Sequence, residues 1–572
     1  MNPAVREQLL AAGLANQRRG QLEQAEQCYR VILGQVPQDA EALYRMGLLA
    51  LQCANASGAT HYLEQACSLR RFDADGWYNL GMAHVLDYEL DKARTAFERA
   101  RANDPEHAPA AVSLGNVNKL MGRTHEAGEA YLAAVASPRV DAVLFSQILI
   151  ALHTIPAMEP GTLFELHREW SWRYARVFDA GERTYPNARD PQKRLTIGLV
   201  SPKFNAEIVG HFLRRVVGPL AAHADVYLYD GGTKRDWLTE ELSGCGVRWR
   251  DIAAMRDDEA ANAIASDGID VLVDLAGHAP GNRLLVFARR PAPVQATWLD
   301  YFDTTGVEAI DLLITDPIST PRELVNSGAQ RFVESLGYVP DCRLCFTPPP
   351  FAPEVSQAPA LVRGAVTFGC FGRADKIHGE CIALWSRVLH AVGHSTLLLK
   401  GGGFDVLPVR ERIARDFSDH GITRDRLHFR GASSHEALLA EYADVDIALD
   451  TFPYNGGATT CDALWMGVPV VTLAGTTMIA RQGASLLSAA GCAGWVASDA
   501  DGYVKIAAGL ASDLAHLGAE RSALRDRVAR SRLCDGQFFA AALLECMRAA
   551  WRRWCAAQQG QTLHDSVRQR VA

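Results

Sequence analysis

The chain has 572 residues, 58 Lys+Arg against 66 Asp+Glu, and a formal net charge of −8. At roughly 100–200 residues per domain, that length carries several folding units. A hydrophobic fraction of 48% with 22% charged residues excludes a mainly disordered chain, and the acidic balance argues against a protein built to wrap nucleic acid.

The first residues lack a basic region followed by an apolar core, and no apolar run nears the roughly 18 residues that span a bilayer. A repeat follows. Gly13, Gly47, Gly81 and Gly115 are spaced 34 residues apart. Twelve residues after each comes Ala25, Ala59, Ala93 or Ala127, and four further on Tyr29, Leu63, Phe97 or Tyr131. Small residues in this phase let two antiparallel helices approach, and the large side chain fills the gap between them. The pattern resembles the tetratricopeptide repeat and predicts four units over residues 6–139, stacked into a superhelix with a concave groove that suits an extended peptide. Residues 140–190 read as a helical, aromatic cap or linker that seals the last repeat, ending in a turn-rich boundary around Tyr185 and Pro186.

From Arg194 the periodicity changes. Short β-branched runs at 195–200, 226–229, 271–275, 294–298 and 312–315 alternate with helical stretches. After the proline run at 348–353 the alternation restarts at 366–371, 396–399, 427–430, 445–449 and 468–473. Apolar strands alternating with helices predict parallel sheets covered on both faces. Two doubly wound, Rossmann-like α/β halves, 191–346 and 364–557, suggest a GT-B fold with ligands bound in the cleft between them. A last helix near 537–555, carrying Trp551 and Trp554, should pack back across the halves. The 13 scattered cysteines read as reduced thiols, and the lone CxxC at Cys342 and Cys345 lacks the second pair of a zinc ribbon.

The densest motif lies at 446–467. A strand ends at Asp450, a loop with Gly456 and Gly457 follows, and a helix starts near Thr459 and runs to Gly467. Exposed N–H groups at such a helix start, beside Thr459 and Thr460, offer a diphosphate site, and Asp462 in the first turn could accept from ribose hydroxyls. Capping by Thr459 and dipole compensation by Asp462 are the plainer alternatives. Lys376, in the loop after the 366–371 strand, could neutralise a departing diphosphate or sit on the surface as a solvated lysine. His435 could stack on a base or cap its helix.

These segments, together with 289–295 and 481–486, resemble the O-linked N-acetylglucosamine transferase/SPINDLY family over residues 6–557. The resemblance implies an inverting, metal-independent protein O-glycosyltransferase. It would move a sugar from a nucleotide, UDP-N-acetylglucosamine first and UDP-glucose or GDP-fucose as alternatives, to Ser or Thr of a protein. By position it implies that Lys376 stabilises the leaving group, His435 stacks on the base, Arg373, Gly456, Gly457, Thr459 and Thr460 line the donor site, and Asp462 holds ribose. It implies no cofactor and no metal. The family histidine three residues after Phe204 is Glu207 here, so Glu207, His211, His278 and Asp303 stay open as the base. His278, Asp303 and Thr304 are expected to face the cleft and the acceptor. Family asparagines of the repeat groove fall on Ala11, Arg45, Asn79 and Ser113, of which one survives. The partners implied are protein acceptors and a nucleotide sugar, with no nucleic acid, no membrane, a cytoplasmic setting and self-association left open. A non-catalytic repeat scaffold and an enzyme acting on a glycan are the competing readings.

Overall fold

The computed structural model describes residues 1–156, 158–178 and 184–571, with side chains to 557. It divides into two compact units, Met1–Ile148 with Val406–Ile413, and Leu149–Asp405 with Ala414–Ala572.

In the first unit, eight helices between Pro3 and Ala136 pair as four helical hairpins. The repeat phase has a direct cause. A Cβ on Gly13, Gly47, Gly81 or Gly115 would lie 2.4–2.5 Å from Tyr29, Leu63, Phe97 or Tyr131 respectively. Ala25, Ala59, Ala93 and Ala127 are fully buried beside them. Packing this close leaves no room for a side chain at the glycine. The unit boundary falls inside the helix Ala142–Leu152.

The second unit begins with the rest of the cap, chiefly the helix Pro160–Trp170 and the turns to Phe178. Residues 157 and 179–183 of the expected cap lie outside the described residues. Two parallel sheets follow. The first holds β1 (Thr196–Ser201), β2 (Asp225–Asp230), β3 (Arg248–Asp251), β4 (Val271–Asp274), β5 (Val294–Thr297), β6 (Leu312–Thr315) and β7 (Ser335–Tyr338), in the order β3-β2-β1-β4-β5-β6-β7. The second holds β8 (Thr367–Phe371), β9 (Thr396–Lys400), β10 (Leu427–Arg430), β11 (Ile447–Leu449), β12 (Val470–Leu473) and β13 (Val496–Ala497), ordered β10-β9-β8-β11-β12-β13. This is the expected GT-B pair of doubly wound halves after a repeat array. The strand order reverses between β1 and β4 and again between β8 and β11, which fixes where each half leaves a crevice at its strand carboxyl ends.

The two halves are tied together. Ser485 donates to Asp316 at 2.9 Å, Arg481 to the Ile318 carbonyl at 2.6 Å, and Gln330 to the Thr476 carbonyl at 2.8 Å. The last helix, Gly536–Val571, crosses back as expected. Phe539 stacks on Trp298 of the first half at 5.6 Å, and Trp551 is buried with its indole N–H on the Asp190 carbonyl. All thirteen cysteines are free. Among the described residues no helix is long and apolar enough to cross a membrane.

Candidate active site

The segments that leave β1, β4, β8 and β11 carry nearly all the residues singled out from the sequence. After β11, Asp450 closes the strand and is buried. Its carboxylate accepts from the Gly456 N–H and the Thr472 hydroxyl, each at 2.7 Å, and so shapes the glycine loop. The helix Ala458–Trp465 then starts from Gly457, which has no side chain to cap it. Its leading N–H groups therefore remain an anion-binding end. Gly467 at φ +77° stops this helix in the left-handed region. Thr459 is thus not the cap that its position allowed.

Lys376 sits on the turn Ala374–Lys376 after β8. It is half-buried, with its Nζ 4.0 Å from the Tyr454 ring centre and 3.4 Å from the Asn455 carbonyl. Burial pulls its ammonium below the usual lysine range, with Arg373 adding repulsion and Asp450 opposing it. Burial likewise raises the Asp450 carboxyl. Lys376, Asp450, Gly456, Thr459 and Thr460 line one open cleft with Gly369, Gly372 and Tyr442. Arg373 points outward at its edge, paired with Asp375 at 3.2 Å.

His435 opens the helix His435–Glu441, which Ser434 caps. Its Nε2 lies 3.0 Å from buried Asp462. That hydrogen bond raises the His435 pKa, and burial raises that of Asp462. His435 thus reaches Asp462 rather than capping its own helix. Across the cleft, the rings of His211 and His435 meet edge to face at 5.6 Å. Burial, with His435 beside it, lowers His211 to about 4, so it is a neutral base at pH 7. Glu207 precedes the helix Ile208–Leu213, and its carboxylate is held by Lys234 at 3.2 Å on the rim.

Two expectations need correction. His278 does not face the cleft. It is fully buried, with its ring nitrogen on the Thr305 carbonyl at 2.9 Å and Trp170 packed edge-on at 4.9 Å. Thr304 is equally enclosed, since its hydroxyl donates to buried Glu334 at 2.6 Å. His278 packs the first half against the cap, and Thr304 ties the 299–305 loop to Glu334 within that half. Asp303 is half-buried beside His153, 3.5 Å from its Nε2. In the repeats, Asn79 donates to the Tyr44 hydroxyl at 2.9 Å and Arg45 pairs with Glu41 at 2.8 Å.

Sequence reasoning missed the role of Asp450 in shaping the loop. A carboxylate at a strand end before two glycines was the available signal. It also missed Arg343, which is buried and donates to the Leu299 and Tyr301 carbonyls, fixing the 299–303 loop. Only the fold brings that arginine to its partners.

A helix start and a lysine lie opposite a histidine in a two-sheet fold of the GT-B kind. The family model for glycosyl transferase family 41 matches residues 175–346 and 355–543, and the chain belongs to that family. It is 38% identical over 417 residues to a probable UDP-N-acetylglucosamine–peptide N-acetylglucosaminyltransferase SPINDLY of Petunia hybrida, covering 71% of this chain and 44% of that protein. It is 28% identical to the Arabidopsis thaliana protein of the same kind named SEC, covering 64% of this chain and 38% of that one. A solved O-GlcNAc transferase mutant of Thermobaculum terrenum superposes with a TM-score of 0.77 at 32% identity, covering 97% of this chain and 99% of that one. The chain spans less than half the length of the curated plant relatives.

Proposed function

We propose that this protein transfers a sugar, N-acetylglucosamine first, from a UDP-sugar to Ser or Thr hydroxyls of protein acceptors, with inversion and without a metal in the transfer step. The observation that carries this reading is the cleft in which Lys376, Gly456, Thr459 and Thr460 converge at the start of the helix Ala458–Trp465. The helix start and the two threonines would hold the diphosphate, and Lys376 would neutralise charge on it as the sugar leaves. His435, oriented by Asp462, would lie along the nucleoside. His211 would take the acceptor proton: it faces the second half and is neutral, whereas Glu207 is committed to Lys234 on the rim. Protein acceptors are supported by the repeat array and by the peptide transferase relatives. The groove would not use an asparagine ladder, because Asn79 and Arg45 are already engaged within the repeats.

Calorimetry with UDP, GDP, UDP-N-acetylglucosamine and GDP-fucose tests the donor. Tighter binding of the uridine pair is expected. Binding of the guanosine pair alone would assign another donor, and binding of neither would sink the transferase reading in favour of a scaffold.

A further inference from the structure

A second cluster of chemistry-bearing side chains lies apart from the donor cleft, where the cap meets the first half. His153 follows the helix Ala142–Leu152, His167 sits on the helix Pro160–Trp170, and Asp303 comes from the loop after β5. One ligand atom from each lies within 4.8 Å of the others. We propose that His153, His167 and Asp303 form a binding site for a divalent transition metal of the zinc class, which clamps the cap to the 299–305 loop.

The first reason is an unanswered nitrogen. His153 is buried, yet its Nε2 makes no hydrogen bond. A buried polar atom left this way is destabilising unless something else meets it. Its nearest counterpart is Asp303 Oδ2 at 3.5 Å. Ligand atoms around a tetrahedral ion with bonds of about 2.0–2.1 Å stand roughly 3.3–3.5 Å apart, so this separation already fits.

The second reason is tautomer control. His167 Nδ1 lies 2.6 Å from the Leu163 carbonyl, which can only accept, so the proton sits on Nδ1. Nε2 is left with its lone pair and now takes the Tyr301 hydroxyl at 2.6 Å. A carbonyl that fixes the remote nitrogen is how a metal-binding imidazole is held in orientation. Two imidazoles and one carboxylate suit zinc, cobalt or nickel better than magnesium or calcium, which prefer all-oxygen sets.

Access exists too. His153 forms part of the wall of a surface cavity of about 380 Å³ that also includes Pro156, Phe452 and Thr476. The clamp would bear on the donor cleft through two rings: Phe302 packs edge-on against Tyr454 at 5.0 Å, and Tyr454 is the ring under Lys376. The metal proposed here holds structure and takes no part in sugar transfer, so it stands or falls apart from the donor assignment.

The test is a Co²⁺ titration of the metal-stripped full chain, followed by its visible absorption. The expected result is saturation at one ion per chain, with d–d bands and no thiolate charge transfer. Binding should be lost in His153→Gln and in Asp303→Asn. It should be kept in His84→Gln, which breaks the other His-and-carboxylate group, with Glu64 and Glu89 in the repeats. Zn²⁺ should raise the unfolding temperature of the wild type and of His84→Gln only. No bands in the wild type, or bands unchanged in both His153→Gln and Asp303→Asn, would overturn the proposal. Should those variants fail to fold, X-ray absorption of the wild-type complex decides: two imidazoles and no sulfur support the site, and any sulfur ligand rules it out.

Discussion

Lys376 stands 4.0 Å from the Tyr454 ring centre and is held below the usual lysine range by burial. If it stabilises the leaving diphosphate, Lys376→Ala should lower kcat by about 10²–10³ while donor affinity by calorimetry changes far less. The cation is the working form, and it is lost as pH rises through the lowered pKa. The alkaline limb of kcat/KM should therefore fall below the ordinary lysine value of about 10.4. Asp450 raises Lys376, so Asp450→Asn should move that limb to still lower pH. An unmoved limb would detach the limb from Lys376. For the base, His211→Ala should cost about 10²–10⁴ in kcat, and Glu207→Gln should leave it nearly unchanged, in steady-state assays. The reverse ranking would return the role to Glu207. The residues proposed to hold the donor could be placed together from the sequence because they sit on one contiguous strand–loop–helix segment and one strand end. His278 and Thr304 were misplaced because nothing local announces that Trp170 of the cap covers the one and Glu334 takes up the other.

The helix Ala458–Trp465 and its loop form the element on which the site depends. At Gly456 a Cβ would meet the Thr460 hydroxyl at 2.6 Å, the Thr459 hydroxyl at 3.0 Å and Asp450 at 3.2 Å. Gly456→Ala should therefore disturb the phosphate cradle directly, weakening donor binding at least about tenfold while far-UV circular dichroism stays native. Unchanged affinity would mean that the loop does not touch the donor. At this scale most of the fold could be read. The runs that became β1, β2, β4, β5, β6, β8, β9, β11 and β12 are largely apolar and mostly buried on both faces, the mark of parallel strands, and β10 was read from its Leu427 and Phe429 although it lies at a sheet edge. The strands β3, β7 and β13 went unread. β3 is Arg-Trp-Arg-Asp at a sheet edge and partly exposed, β7 contains Gly337, and β13 has two residues. The repeats were the most legible part, because a glycine packed against a large side chain recurs in every hairpin.

Across the whole molecule, a helical repeat array is joined in one chain to two α/β halves that the last helix and a set of inter-half hydrogen bonds hold together. With a net charge of −8, the molecule offers no general attraction for an anionic nucleotide. In the proposed function, binding would come from local groups, namely Lys376 and a helix start. The repeats give a reason to expect a polypeptide acceptor rather than a small one. Mass spectrometry of protein acceptors, incubated with UDP-N-acetylglucosamine and either the wild type or Lys376→Ala, tests this most directly. The account predicts N-acetylhexosamine additions on Ser or Thr with the wild type and their near absence with the variant. Equal modification by both proteins, or none by the wild type despite donor binding, would contradict it.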